Sequence, residues 1–250
     1  VRKGWLKKIA KLTRPSITNL KVLAGQGMEN NDRIIESWNA NARSWTDAVR
    51  MKAIETRRLV TDEAVLDAIL RYPSSRVLDV GCGEGWLSKK LLMEGREVFG
   101  FDASPALIAE ARRSCNAGFM ELSYQTFTEQ PSRVGTDFDI VVCNFSLLDE
   151  NVSTLLKSIH TITKPSGHLV IQTVHPHTVS AGRYEDGWRE ETFTNLPGQW
   201  TSMPWFFRTM SSWIDALTIS GWSLSRLIEP VHPETTMPAS LILDSVPRTT

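Results

Sequence analysis

The sequence is poor in cysteine, has no net charge and contains no long apolar run, and each absence removes a class of protein. Cys82, Cys115 and Cys143 are scattered, odd in number and form no Cys-x-x-Cys pair. That argues against a disulfide framework or a structural zinc site and fits a reducing compartment. No stretch approaches the roughly 20 apolar residues a membrane-spanning helix needs. Lys plus Arg and Asp plus Glu balance at 28 each. No global field therefore draws the chain to phosphate backbones, and a nucleic-acid partner is not expected. Internal repeats and low-complexity tracts are also lacking.

Acid is missing from the first 28 residues, which carry seven basic ones between Arg2 and Lys21. Such a segment has the composition of a transit peptide or surface-binding arm. Residues 1–29 are expected to form a loose leader outside a single core at 30–250. A cytoplasmic location is the expectation, with organelle targeting by the leader as the alternative. The sequence does not address oligomeric state.

What is present is an ordinary globular composition, 41% hydrophobic and 22% charged over 250 residues, enough for one substantial core. Thr61 reads as an N-cap, with Asp62 and Glu63 in the first turn and Val65, Leu66, Ile69 and Leu70 as an apolar stripe. Strands are then expected at 76–80, 97–101, 120–124, 138–142 and 169–173. Helices alternate with them after Gly85, from Ser104-Pro105, and around Val152–Ile159. This alternation implies an α/β fold, a doubly wound and mostly parallel sheet with helices on both faces. Residues 178–208 read as an irregular insertion. A helix from about Ser212 to a stop at Gly221 follows, and two last strands with no crossover between them should pair antiparallel. The total is about seven strands.

The most informative stretch is Val77-Leu78-Asp79-Val80-Gly81-Cys82-Gly83-Glu84-Gly85, a strand that runs into three alternating glycines and then a helix. Glycines let a backbone turn tightly and approach a ligand closely. Asp102 ends the next strand, where a carboxylate can take both hydroxyls of a ribose. The spacing is GxGxG rather than GxGxxG, and Asp79 precedes it. A carboxylate repels a diphosphate but attracts the ammonium and sulfonium of S-adenosylmethionine.

On these residues the chain resembles the class I (Rossmann-like) S-adenosylmethionine-dependent methyltransferases. Leu78–Gly85 is similar to their first motif and Phe99–Ser104 to their second. Phe138–Phe145 is similar to their fourth strand and the loop beyond it, and Thr163-Lys164-Pro165-Ser166-Gly167 to the run before the fifth. The resemblance implies that Asp79 and the backbone of Gly81, Cys82 and Gly83 hold the methionine part of the cofactor. By the same token Asp102 takes the ribose, Ala103 lies against the adenine, and Asn144 and Phe145 sit beside the methyl group. Tyr124 and Gln125 stand where many relatives place an acid that reads the adenine amino group. Trp38, Trp45, Arg57 and Arg58 lie on segments that relatives fold over the cofactor, with Arg58 set to pair with its carboxylate. S-adenosylhomocysteine would be the product.

His175 and His177, after the fifth strand, are the candidates for a base that deprotonates an acceptor. The plainer reading is a polar turn. His232 is a weaker candidate, no metal site is expected, and His160 and His168 read as surface positions. Tyr184, Trp188, Phe193, Trp200, Trp205, Phe206 and Phe207 form an aromatic group that suits a substrate lid or a satellite core. The expected activity is methyl transfer to an O, N, S or C atom of a small molecule. The alternatives are a non-catalytic S-adenosylmethionine-binding module and a nicotinamide-dependent oxidoreductase.

Overall fold

The computed structural model describes residues 17–73, 76–180 and 182–248. Helix α1 (Ile17–Arg50) leads in, so the first residues of the basic segment lie outside the described residues and its later part belongs to this helix. Next come α2 (Asp62–Leu70), β1 (Arg76–Val80), α3 (Trp86–Met93), β2 (Glu97–Asp102), α4 (Pro105–Ser114) and β3 (Gly118–Glu121). The chain continues through α5 (Tyr124–Glu129), β4 (Phe138–Asn144), α6 (Val152–Ile162), β5 (Thr163–Val174) and α7 (Pro176–Val179). It closes with β6 (Gly187–Glu191), β7 (Met203–Phe207), α8 (Met210–Ile219), β8 (Trp222–Ile228) and β9 (Ser240–Pro247).

Seven strands form one sheet in the order β3-β2-β1-β4-β5-β9-β8, parallel from β3 to β5 and antiparallel where β9 meets β5 and β8. The expected doubly wound sheet with an antiparallel last strand is thus what forms. Successive side chains of a strand point to opposite faces. Val77, Ile140, Val142, Val170 and Ile242 meet α2 and α3 on one face. Leu78, Val80, Val141, Cys143, Leu169, Ile171, Leu241 and Leu243 meet α6 and α8 on the other. Covering both faces explains why the strands are continuously apolar rather than alternating. Each buried Val, Leu or Ile contributes about 1.5–3 kcal/mol against chain entropy. The fully buried Trp222 donates its indole N–H to the Leu156 carbonyl at 3.0 Å, leaving no polar atom of that ring unpaired.

Several local expectations are corrected. Thr61 is no N-cap: it ends a π-helical turn, Arg57–Thr61, that runs straight into α2, with the Asp62 N–H bonded to the Arg57 carbonyl. The third strand ends at Glu121, and Ser123 caps a short helix that begins at Tyr124, accepting from the Thr126 N–H. Residues 178–208 are not wholly irregular, because β6 and β7 pair as an antiparallel hairpin. His168 is not a surface residue; it stacks on Tyr72 at 3.6 Å and bonds the buried Asp244 at 3.0 Å. His160 is half-buried, edge-on to Trp222 at 5.2 Å. Ser104 does cap α4 as expected, accepting from Leu107 N–H, with Pro105 at the first helical position. Among the described residues no helix is long and apolar enough to cross a membrane.

Candidate functional site

A cavity of about 360 Å³ opens at the carboxyl ends of β1, β2 and β4 and is roofed by α1. Its floor is the glycine loop. Gly81, Gly83 and Gly85 adopt φ of +71°, +56° and +81°, conformations that cost a side chain strain. Space is the second constraint at Gly81: a Cβ there would collide with Ser146 and come 2.6 Å from the Tyr124 hydroxyl. Tyr124 donates to the Ser146 carbonyl at 3.1 Å, and Ser146 Oγ to the Val80 carbonyl at 2.7 Å, so the loops after β3 and β4 meet over Gly81.

The loop's amide hydrogens are mostly engaged within the protein. Gly81 and Cys82 N–H both donate to the Phe101 carbonyl, Gly85 N–H to the Cys82 carbonyl, and Gly83 N–H to Asp102 Oδ2 at 3.0 Å. Asp102 Oδ1 accepts from Ser104 N–H at 2.8 Å, which fixes the carboxylate plane. A diphosphate needs such amides free. This loop presents little of that kind and is instead flanked by acids.

Five carboxylates line the cavity, Asp32 and Asp149 together with three at the glycine loop and the ends of β1 and β2. Asp79 is buried and accepts from Ser88 Oγ at 2.7 Å. Burial pushes its carboxyl up to about 7; Ser88 opposes the shift, while the charges of Glu84 and Asp102 add to it. Glu84 is buried, and burial raises it too, with Arg57 pulling the other way. Asp102 is raised by burial against the hydrogen bonds from Ser104 and Gly83. A pocket of this kind disfavours its own charge, and a cation placed in it relieves the cost.

Arg57 completes the wall. Its guanidinium carbon lies 4.7 Å from the Trp86 ring centre and 5.7 Å from that of Trp45, and Nε bonds Asp62 at 2.9 Å. One guanidinium nitrogen, Nη2, is buried with no hydrogen-bond partner among the described residues, and so is Glu84 Oε1, whose other oxygen accepts from the Trp45 indole at 2.9 Å. A buried orphan donor and a buried orphan acceptor on one cavity suit a ligand carrying both a carboxylate and an ammonium.

Of the residues expected at the cofactor, Asp79, Gly81, Cys82, Gly83, Asp102, Ala103, Tyr124, Gln125, Asn144 and Phe145 all line this cavity, with Trp38 and Trp45. Arg58 does not; it is exposed and turned toward Glu55 at 3.9 Å. The π-turn brings Arg57 to the cavity in its place. Spacing singles out neither Glu84 nor Trp86, which also line the cavity, although Glu84 sits inside the glycine motif. Cys82 and Cys143 are buried and their thiols are pushed up by burial, which removes them as nucleophiles.

The histidines are elsewhere. His175 is buried, with Nε2 at 2.8 Å from Glu229, and His177 is exposed; neither lines the cavity. His232 is likewise absent from the wall, with Nδ1 accepting from Glu234 N–H. Among the described residues no group of three potential ligands could hold a metal. The aromatic group of the insertion does not reach the cavity either. Phe193 stacks on Trp200 and packs against Trp38, and Trp188 meets Phe206, so these rings form a satellite core against α1.

Comparison with known proteins agrees with the geometry. Residues 77–167 match the family described as a methyltransferase domain. The chain is 32% identical over 104 residues to a ubiquinone biosynthesis O-methyltransferase of Aeromonas salmonicida, a match covering 40% of this chain and 43% of that protein. A protein of the same name from Ruegeria pomeroyi is 32% identical over 107 residues, 42% and 43% of the two chains. The chain thus spans less than half the length of these relatives. Among solved structures, magnesium protoporphyrin IX methyltransferase of Synechocystis with bound S-adenosylhomocysteine superposes with a TM-score of 0.59 at 19% identity, covering 88% of this chain and 100% of that one. The 1,6-didemethyltoxoflavin-N1-methyltransferase of Burkholderia thailandensis gives 0.59 at 19%, covering 95% and 94%. The fold is the one these solved methyltransferases share, and the methyltransferase-domain match falls on residues 77–167, which carry its glycine loop.

Proposed function

We propose that this chain transfers a methyl group from S-adenosylmethionine to a small-molecule acceptor. The observation that carries the reading is the cavity wall: buried carboxylates beside a glycine loop whose amides are engaged, together with a guanidinium nitrogen of Arg57 that has no partner among the described residues. Asp79 and Glu84 take the ammonium, Arg57 the carboxylate and Asp102 the ribose hydroxyls. Ala103, Tyr124 and Gln125 flank the adenine, and Asn144 and Phe145 lie beside the methyl group. When bound, S-adenosylmethionine supplies a methyl carbon already activated by a positive sulfur. The chain's own residues therefore orient two partners and exclude water. As the acceptor–carbon bond forms, the sulfur–carbon bond breaks and its electron pair stays on sulfur, giving S-adenosylhomocysteine. A cavity with no histidine in its lining supports alignment, rather than a histidine base, as the main catalytic device. A nicotinamide dinucleotide has no support, since its diphosphate would meet acids and engaged amides.

Calorimetry with S-adenosylmethionine, S-adenosylhomocysteine and NADH, on the wild type and Asp102→Ala, tests this. Both adenosyl ligands should bind, more weakly in the variant, and NADH should not. Folded protein that binds neither adenosyl ligand would sink the proposal. The names of the similar proteins include an O-methyltransferase and an N1-methyltransferase, so they leave the receiving atom open.

A further inference from the structure

The receiving atom is addressed by a hydrogen-bond chain under the cavity. Gln172 on β5 is fully buried and lies beside Asn144, its register partner on β4. Its side-chain nitrogen donates to the Thr61 carbonyl at 3.0 Å and to Asn144 Oδ1 at 2.7 Å, and its oxygen accepts from Ser240 Oγ at 3.1 Å. The Thr61 carbonyl can only accept, so the end of Gln172 that faces it must be the NH₂ group. Both hydrogens of that group are then committed, and the atom of Asn144 that meets them must be an oxygen. The orientation of Asn144 follows. Its Oδ1 is held below, and its NH₂, with no partner among the described residues, is the polar end left for the cavity that Asn144 lines.

A side chain locked in this sense offers donors and no acceptor. We infer that the methyl acceptor presents a hydrogen-bond-accepting oxygen, of the ionised hydroxyl type on an unsaturated ring, to Asn144 Nδ2, and that Gln172 is the positioning residue that enforces this choice over an amine. An amine would turn its own N–H groups toward a donor and find no partner, the kind of mismatch a polar site rejects strongly. Ile34, Ile35, Trp38 and Leu148 on the same cavity supply apolar walls for the ring. The inference rests on the methyl-transfer reading above.

The probes are 4-nitrophenol, held as its anion, and 4-nitroaniline, an isosteric pair that differs in accepting or donating at one position. Protein saturated with S-adenosylhomocysteine, whose binding is measured first in the same cell, is titrated with each. Wild type should favour the nitrophenolate by about tenfold or more, the worth of one hydrogen bond to a charged group. The bound nitrophenol should also ionise at lower pH than the free compound, read from its absorbance. Asn144→Asp keeps the oxygen toward Gln172 but faces a second oxygen to the cavity, so the preference should reverse and the ionisation shift change sign. Gln172→Glu removes the donors that fix Asn144 and should act in the same direction; Asn144→Asp, at the cavity wall, keeps the test valid if that buried variant fails to fold. Equal or stronger binding of nitroaniline by wild type, a ratio unmoved by the substitutions, or binding of neither probe overturns the inference. Failure to bind S-adenosylhomocysteine at all would instead overturn the methyl-transfer reading.

Discussion

Arg57 and Arg58 are adjacent, and only one of them can be opposite a cofactor carboxylate. Arg57 is buried between two indoles with an unpartnered nitrogen, whereas Arg58 is exposed beside Glu55. Arg57→Ala should therefore weaken binding of S-adenosylmethionine and S-adenosylhomocysteine alike by roughly tenfold to a hundredfold, the range for one charge-assisted contact. Arg58→Ala should leave both affinities unchanged, and calorimetry on the two variants separates them. Gly81 makes a sharper case. Gly81→Ala faces positive φ as well as a collision with Ser146 and Tyr124, two sources of strain that no single shift relieves. Loss of cofactor binding with a lowered melting temperature is the expected result, whereas Gly83→Ala, with open space at its Cβ, carries only the conformational cost.

At the scale of elements, α2 is tied to the sheet by a polar cluster around the buried Asp244. Tyr72, just past the end of α2, donates its hydroxyl to Asp244 on β9, and His168 on β5 bonds the other carboxylate oxygen while stacking on the Tyr72 ring. Burial and the Asp244 charge hold the Tyr72 hydroxyl at about 12, so it stays a donor. Tyr72→Phe leaves one oxygen of a buried carboxylate unpaired and should cost about 1–3 kcal/mol in denaturant unfolding, with cofactor affinity unchanged. This cluster illustrates what was legible in the sequence. From sequence His168 reads as a surface residue, because nothing local to it announces Tyr72 or Asp244, which lie far off along the chain. The strands, the glycine loop and the Ser104 cap were legible because period, turn chemistry and capping are local properties. The π-turn was not: Thr61 followed by two acids is a sound local cap signal, yet the tertiary fit of Arg57–Thr61 under α1 and beside Gln172 prevails. The same reason put the carboxylate partner on Arg58 rather than its neighbour. His175 and His177 were placed correctly near a strand end, but which side of that end faces the cavity is decided by the sheet order rather than by spacing.

For the whole molecule, the balanced charge of the chain conceals an uneven distribution, since Asp79, Glu84 and Asp102 share one cavity wall with a single Arg57. Protonation and cofactor binding must then be linked. In the free protein Asp79 titrates near 7, above the ordinary carboxylate range, because burial disfavours its charge. A bound ammonium and sulfonium favour the ionised form and lower that value, so binding releases a proton wherever the free carboxyl is protonated and the bound one is not. Affinity for S-adenosylmethionine should consequently fall as pH drops below about 7, approaching tenfold per unit, and level off above it. S-adenosylhomocysteine lacks the sulfonium charge and should show a shallower slope. Calorimetry of S-adenosylmethionine binding at pH 6 to 7, repeated in buffers of different ionisation enthalpy, reads the released proton directly. Asp79→Asn should bind more weakly at alkaline pH and flatten the profile. A pH-independent affinity in the wild type would overturn the linkage, whereas a variant with the wild-type slope would move it to another carboxylate of the cavity, and Glu84→Gln and Asp102→Asn then test the two beside the glycine loop.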